Sequence, residues 1–406
     1  MIEILSENEM VQSVNKNHIY KLTLDSAGED YDISTSAMYA STLSNRVSAV
    51  ITPNDEFVNI NSYGIENTMA NRAWGITTGD SSVKVGIIDT GYSSHEDLDS
   101  NYLSTIQLNF TEESGFEDNV GHGSHVAGII GACGNNEIGV AGVCWNVTLV
   151  NLKAYQRFVT SDNKVTGRTK VSWVVNAINT AASLGVDVLN ISGSAHDPDY
   201  LTDLENAIVN FDGIIVASAG NRASSSIAYP AGCSAENVIA VAAVDASNNL
   251  CEFSNYNSSL VHIAAPGKNI FSTIPANDYI ANSGTSMAAP YVTGAAALLL
   301  SIDPNMSFSQ IRRLLLSNVD YQESLEGKVS TSGTLNIFSA VLDAKGYTMG
   351  DVDLDGVYTE DDKNMIISYS SRLVTPNNTQ RVLSDMNFDG YITSADARLV
   401  SQLIAI

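Results

Sequence analysis

Four side chains of this 406-residue chain stand where chemistry is possible: Asp89, His122, Asn221 and Ser286. Ser286 lies in "ANSGTSMAAPYVTGAAALLL", residues 281–300, where a Gly-Thr-Ser turn precedes a small apolar run that reads as a buried helix beginning near Ala288. A serine at the mouth of such a helix has unpaired backbone N–H groups and the positive end of the helix dipole beside it, which stabilise negative charge near its hydroxyl. A capping serine would occupy the same place, so the reading turns on partners. To act as a nucleophile near neutral pH the hydroxyl needs a base, and the base needs an orienting acid. Asp89 closes the apolar strand "VKVGIIDTG". His122 stands in "NVGHGSHVAGIIG", among glycines that allow close approach as a helix begins. Asn221 ends a strand in "VASAGN", with an amide able to donate to an oxyanion. Acid, base, oxyanion donor and nucleophile thus follow one another, and their joint chemistry is acyl transfer. A pair of aspartates sharing a proton would need "DTG" twice, and it occurs once.

The elements that must position these groups alternate. Strands "VKVGIID" (83–89), "VTLVNLKAY" (147–155), "GVDVLNIS" (185–192), "GIIVASAG" (213–220) and "ENVIAVAAV" (236–244) are apolar and β-branched. Between them lie "GSHVAGIIGA", "VSWVVNAINTAASLG" and "YLTDLENAIVNF", each with helical apolar spacing. Continuous apolar strands alternating with helices predict an α/β fold with a parallel sheet covered on both faces. Ligands of such sheets bind at the C-terminal strand edge, where Asp89 falls. The expected organisation is an N-terminal extension over residues 1–57, a catalytic domain over 58–345, and a second small domain over 349–406, after a composition shift near Gly346.

The length allows two or three domains at roughly 100–200 residues each. A formal charge of −25 and a pI near 4.3 argue against nucleic acid as a partner, because phosphate binding needs a basic face. They suit a secreted protein or one that binds cations. No membrane span is expected: no run reaches about 18 apolar residues, and Thr293 and Gly294 interrupt the richest stretch. The N-terminal stretch "MIEILSENEMVQSVNKNH" lacks the basic start, apolar core and cleavage site of an export signal. Either a leader is absent from this chain or the protein is not exported, and the remainder of the sequence favours the first. Cys133, Cys144, Cys233 and Cys251 fit no standard zinc spacing. Two local disulfides (133–144 and 233–251) and buried free thiols both remain open.

The blocks "VGIIDTG", "GHGSHVAG", "ASAGN" and "SGTSMAAPYVTG" resemble, in this order, the signature blocks of the subtilisin-like serine peptidases, the subtilases, over about Tyr63 to Ala344. The resemblance implies a doubly wound, mainly parallel sheet and an endopeptidase acting on proteins or peptides. In it Asp89 orients the imidazole, His122 shuttles the proton, Ser286 attacks the scissile carbonyl, and Asn221 with the Ser286 backbone N–H holds the oxyanion. His125 is then a structural histidine. Ser192, Gly193 and Ser194 would form one wall of the pocket for the residue before the cleaved bond, and "RASSSIAYP" (222–230), with Ala228, its floor and far side. The family often has leucine where Gly193 stands, so a widened wall with room for medium or large apolar side chains is expected. "GNNEIGVAG" (134–142) resembles the family's calcium loop, with Asn136, the carbonyls of Ile138 and Val140, and Asp97 of "SSHEDL" as ligands. Oxygen donors of this kind suit Ca²⁺, and a tight polar turn without an ion is the alternative. Members also commonly carry a prosegment. "HIYKLTL" and "RVSAVITPND" read as strands of one, with self-cleavage within 52–62, or as a plain extension.

The acidic tail repeats itself, Asp351 aligning with Asp385 34 residues on. Asp351, Asp353 and Asp355 stand at loop positions one, three and five, followed by Gly356, the position-seven carbonyl of Val357, and Asp362 at position twelve. The second copy offers Asp385, Asn387, Asp389, Gly390, Tyr391 and Asp396. This spacing is that of an EF-hand-type calcium loop, here with Asp at the last position and no clear helix before either loop. Duplicated loop–helix halves of this kind resemble a dockerin, a small all-α calcium-binding module that docks on a cohesin of a scaffoldin. That resemblance implies an extracellular, cellulosome-type assembly of a bacterium. Positions ten and eleven, which help choose the partner in that family, are Glu360–Asp361 and Ser394–Ala395, so the two faces differ. A calcium-stabilised cap on the catalytic domain is the alternative for the tail. For the whole chain, the second reading is an inactive or zymogen protease acting mainly through cohesin binding.

Overall fold

The computed structural model of the chain describes residues 47–59, 62–161, 163–194 and 201–405. The strand expected at 18–24 lies outside them. Along the chain, β1 (Val47–Ser48) precedes two short helices, α1 (Tyr63–Asn67) and α2 (Ala70–Ala73), then β2 (Gly79–Asp89), β3 (Tyr102–Asn109), α3 (His122–Gly131) and β4 (Asn146–Lys153). The hairpin β5 (Gln156–Val159) and β6 (Val165–Arg168) leads to α4 (Val171–Ser183), β7 (Val188–Ile191), α5 (Leu201–Val209), β8 (Ile214–Ser218) and β9 (Val238–Val244). Then come β10 (Ile263–Pro266), the hairpin β11 (Ile270–Ile274) and β12 (Asp278–Asn282), α6 (Thr285–Ile302), α7 (Phe308–Ser317), β13 (Val319–Tyr321) and β14 (Gly333–Leu335). The tail holds α8 (Ile337–Lys345), α9 (Glu360–Ser370), α10 (Asn378–Ser384), β15 (Tyr391–Ile392) and α11 (Ser394–Ile404).

Two compact units divide the described residues: 52–70 with 77–341, and 71–76 with 47–51 and 342–405. Residues 71–76, which the sequence assigns to the catalytic domain, therefore group with the C-terminal repeat.

The larger unit is built on a nine-stranded sheet in the order β13-β14-β10-β9-β8-β7-β2-β4-β3. Every neighbouring pair is parallel except β13 with β14. β2 sits between β4 and β7, where the winding reverses, so its C-terminal end opens into the crevice that such a switch creates. The strands are buried on both faces because helices cover both. Ile88, Leu152, Leu189 and Ile215 pack with Trp173, Ile178 and Leu204 of α4 and α5. Ile87, one residue earlier, faces the opposite side, where α6 lies along β2, β7, β8 and β9. Each fully buried aliphatic side chain contributes about 1.5–3 kcal/mol. α4 forms because Val171, Val174, Ile178 and Ala181 recur at helical spacing and all turn inward.

α6 begins at Thr285, three residues before the expected start, so Ser286 lies within the first turn and caps nothing. With 18 residues and a mean hydropathy of 1.4, α6 is long and apolar enough to cross a membrane, but 83% of it is buried within the protein. The hairpins β5–β6 and β11–β12 have no counterpart in the sequence reading. All four cysteines are free thiols, so neither local disulfide forms. Burial pushes the Cys144 and Cys251 thiols up to about 12.

In the smaller unit α9 packs on α11, and a two-residue strand accompanies the helices: β15 pairs antiparallel with β1, Val47 opposite Ile392 and Ser48 opposite Tyr391. α10 ends directly before the second loop, so that loop does have a helix in front of it. Its start carries a capping box, Asn377 with Gln380, a signal readable in "NNTQ".

Candidate active site

Asp89 ends β2 buried, and its Oδ1 accepts from the Thr90 N–H and lies 2.7 Å from His122 Nδ1. A carboxylate only accepts, so Nδ1 carries the proton and Nε2 is left as an acceptor. Burial by itself would lower the His122 imidazole, but the charge and hydrogen bond of Asp89, with Asp118 adding to them, hold it above its ordinary value. Asp118, buried in the loop before α3, was not singled out in the sequence. Its Oδ1 accepts from Thr90 Oγ1 and the Val120 and Gly121 N–H groups, and its Oδ2 accepts from the N–H and Oγ of Ser124. Thr90 Oγ1 in turn accepts from the Gly123 N–H at 2.9 Å. The residue after the acid and the turn carrying the base are thereby tied together. Gly123 must be glycine, because a Cβ there would stand 2.6 Å from the Gly91 carbonyl oxygen. His125, the other histidine of α3, is buried and unused: its Nε2 lies 3.1 Å from both the Ile270 and Ile280 carbonyls, and burial pushes it down to about 4.

Around Ser286 the helix supplies an unusual opening. Pro290, four residues on, has no N–H, so the Ser286 carbonyl lacks its helical donor. Ser192 Oγ donates to that carbonyl at 2.9 Å, and the Ser286 hydroxyl donates back to the Ser192 carbonyl at 2.9 Å. Asn190 holds Ser192 Oγ from below at 2.9 Å and is itself bound by Thr293 Oγ1 of α6. Ser192 thus clamps the Ser286 turn as well as lining the cleft. Asn221 Oδ1 accepts from the N–H and Oγ1 of Thr285, which turns its Nδ2 toward the active side. A Cβ placed on Gly284 would lie 3.1 Å from Asn221 Nδ2 and 3.6 Å from the Ser286 nitrogen, so both nitrogens flank this turn.

Asp89, His122, Asn221 and Ser286 line one cleft of about 810 Å³ together with Ser192, Gly193 and Ser194. Ala228 is not among its lining residues. The hairpins form two of its sides, through Val165–Gly167 and through Ile274, Pro275 and Ile280. The wall at Gly193 is not widened: the Tyr155 ring lies where a side chain would project, 2.7 Å from a Cβ placed there. Tyr155 is buried, and its hydroxyl has no hydrogen-bond partner. Lys153, fully buried beside Asp89 in the sheet, pairs with Glu113 and donates to the Glu117 carbonyl, fixing the loop that carries Asp118.

The expected calcium ligands of this unit come together only in part. Asp97 Oδ1 accepts from Asn136 Nδ2 at 3.0 Å and Oδ2 from the Val140 N–H at 2.8 Å, while the Ile138 N–H is bound to Asn136 Oδ1. Asp55, absent from the sequence reading, accepts from the Asn135 N–H and leaves its other oxygen buried without a partner. Burial, with the Asp55 charge adding, pushes the Asp97 carboxyl up to about 6.

In the smaller unit the two acidic loops match bond for bond. Oδ1 and Oδ2 of Asp351 accept from the Asp355 and Gly356 N–H groups, as those of Asp385 do from Asp389 and Gly390. Asp355 and Asp389 accept from the N–H groups of Val357 and Tyr391, the residues at position seven. The position-twelve aspartates, Asp362 and Asp396, close capping boxes with Thr359 and Thr393. Carboxylate oxygens of Asp351, Asp353 and Asp355 lie within 4.8 Å of one another. Crowded oxygens of like charge with a preformed turn are a donor set that fits a hard cation; Asn387 replaces one carboxylate in the second copy.

A doubly wound sheet with these side chains at its switch point defines a subtilisin-type serine peptidase. Residues 80–343 match the subtilase family and residues 349–405 the type I dockerin domain. Thermitase of Thermoactinomyces vulgaris is 36% identical over 294 residues, covering 71% of this chain and 99% of that protein. The thermophilic serine proteinase of Bacillus sp. (strain AK1) is 37% identical over 306 residues, covering 72% and 70%. Among solved structures, a protease of Pseudoalteromonas arctica PAMC 21717 matches with a TM-score of 0.61 at 27% identity, over 72% of this chain and 99% of that one. The chain belongs to the subtilase family and carries a dockerin module.

Proposed function

We propose that the protein is a secreted endopeptidase that cleaves through Asp89, His122 and Ser286 and is held by its dockerin on a cohesin-bearing scaffoldin outside a bacterial cell. The observation that supports the first part is the 2.7 Å bond from His122 Nδ1 to Asp89, with His122, Ser286 and Asn221 lining one cleft. At rest the Ser286 hydroxyl faces the Ser192 carbonyl, so it turns toward His122 as substrate enters. Ser286 Oγ then attacks the scissile carbonyl carbon while His122 Nε2 takes its proton. Asn221 Nδ2 and the Ser286 N–H receive the oxyanion, a contribution of about 2.7–4 kcal/mol per donor. As the C–N bond breaks, His122 returns the proton to the leaving amine, and water, deprotonated in the same way, hydrolyses the acyl-enzyme.

Calcium would be held by Asp351, Asp353, Asp355, the Val357 carbonyl and Asp362, and by Asp385, Asn387, Asp389, the Tyr391 carbonyl and Asp396. It would neutralise the repulsion within each loop and so order the module for docking. In the peptidase unit, Asp97, Asn136, the Ile138 and Val140 carbonyls and Asp55 are the corresponding residues. The dockerin match and the paired loops support the cohesin partner and an extracellular site. Incubation with a fluorophosphonate probe after addition of calcium should leave one adduct, located on Ser286 by mass spectrometry. Ser286→Ala should lose label and turnover while the chain still folds, read as a cooperative unfolding transition. An unlabelled, inactive wild type would leave cohesin binding as the chain's main activity.

A further inference from the structure

The internal repeat contains its own control: the loops share backbone and hydrogen bonds, but their surroundings differ. At the second loop, Arg72 donates from Nη2 to Asp385 Oδ2 at 2.7 Å, both side chains being buried. The same guanidinium lies 4.8 Å from the centre of the Phe388 ring. The Ala49 N–H donates to the Gly390 carbonyl at 2.9 Å, and Val47 and Ser48 pair with Ile392 and Tyr391. Thr379 Oγ1 donates to the Gly75 carbonyl at 3.0 Å, and the Ile51 N–H to the Asn71 carbonyl at 2.9 Å, joining the two covering strips. The first repeat has no such cover among the described residues. Leu354 and Val357, the counterparts of Phe388 and Tyr391, are 41% and 56% exposed, and Ile367, the counterpart of Ser401, is 40% exposed.

We propose that residues 47–51 and 71–76 occupy the second repeat's loop face in cis, with Arg72 as the clasp, and that a cohesin docks on the first repeat alone, against Leu354, Val357 and Ile367. The partner rests on the docking function proposed above; the cis cover does not. Leu354 and Val357 in the first loop and Ile367 on α9 are exposed where the second copy is covered, and that copy shows what kind of cover fits: cation–ring contact joined to strand-edge pairing. Docking in the opposite sense would require displacing β1 and separating a buried ion pair, which strands charge away from water.

The test uses the full chain with calcium, titrated calorimetrically against a panel of cohesins. Ile367→Asp should weaken binding by about 30-fold or more, the size of a hot-spot loss, while Ser401→Asp, at the equivalent position, leaves it unchanged. The reverse pattern, or equal losses, overturns the proposal. Hydrogen exchange read by mass spectrometry should find the 47–51 amides protected, with protection lost in Arg72→Ala; rapid exchange in the wild type overturns the cis cover. If no cohesin binds while protection holds, the docking function and the partner assigned to the first repeat both fall, and the cis cover stands.

Discussion

One oxygen of Asp89 serves both the Thr90 N–H and His122, so the imidazole takes its orientation and most of its raising charge from one group, with Asp118 adding to the charge. His122 must be neutral to accept a proton, so kcat/KM falls as pH drops through its pKa, which lies above the ordinary imidazole value. Asp89→Asn removes the raising charge and misplaces the tautomer. A fall in kcat of about 10⁴-fold is expected, with the acid limb of a pH–rate profile moving to lower pH. Tyr155 belongs to the same scale. Its ring replaces the side chain that Gly193 lacks, so Tyr155→Ala should open the wall. Peptides with bulky side chains at that subsite should then gain roughly tenfold or more in kcat/KM over small ones, read by profiling a peptide library.

At the scale of elements, α6 and β7 are locked together through the gap that Pro290 leaves. Ser192 fills that gap and receives the resting nucleophile. Ser192→Ala would leave the Ser286 carbonyl without a donor, at a cost of about 1–3 kcal/mol measurable by denaturant unfolding. The nucleophile's turn would also loosen, so kcat should fall more than KM rises. The α3 turn is held in a different way, by Asp118 collecting five donors from Thr90, Val120, Gly121 and Ser124. Side-chain locks of this kind place each catalytic group at an element's end while the sheet supplies only direction.

Across the whole molecule, three histidines outside the proposed triad, His95, His125 and His262, are held below their ordinary value by burial and set an acid limit. His125 and His262 are both buried, and burial pushes each down to about 4, against about 6.5 in an unfolded chain. Between those values the unfolded state binds more protons, so stability is full above about pH 6.5 and is lost as pH falls toward 4. The midpoint of thermal unfolding should decline through that window. His262→Asn, which keeps an acceptor for the Ala240 N–H, should flatten the decline.

The alternation of apolar strands and helices, the Asp, His, Asn and Ser blocks and the duplicated loops are local patterns, so the sequence alone determines the parallel sheet, the chemistry and the calcium-type spacing. Each block or loop is recognised from neighbours a few residues apart, whereas bringing Asp89, His122, Asn221 and Ser286 to one cleft takes the closed sheet. What the tertiary structure decided came from partners far apart in the chain. Arg72 meets Asp385, Tyr155 fills the space over Gly193, Asp55 joins Asp97, and two hairpins wall the cleft. No periodicity announces such pairs, because a side chain's contact depends on where the backbone returns, and only the closed fold brings those surfaces together.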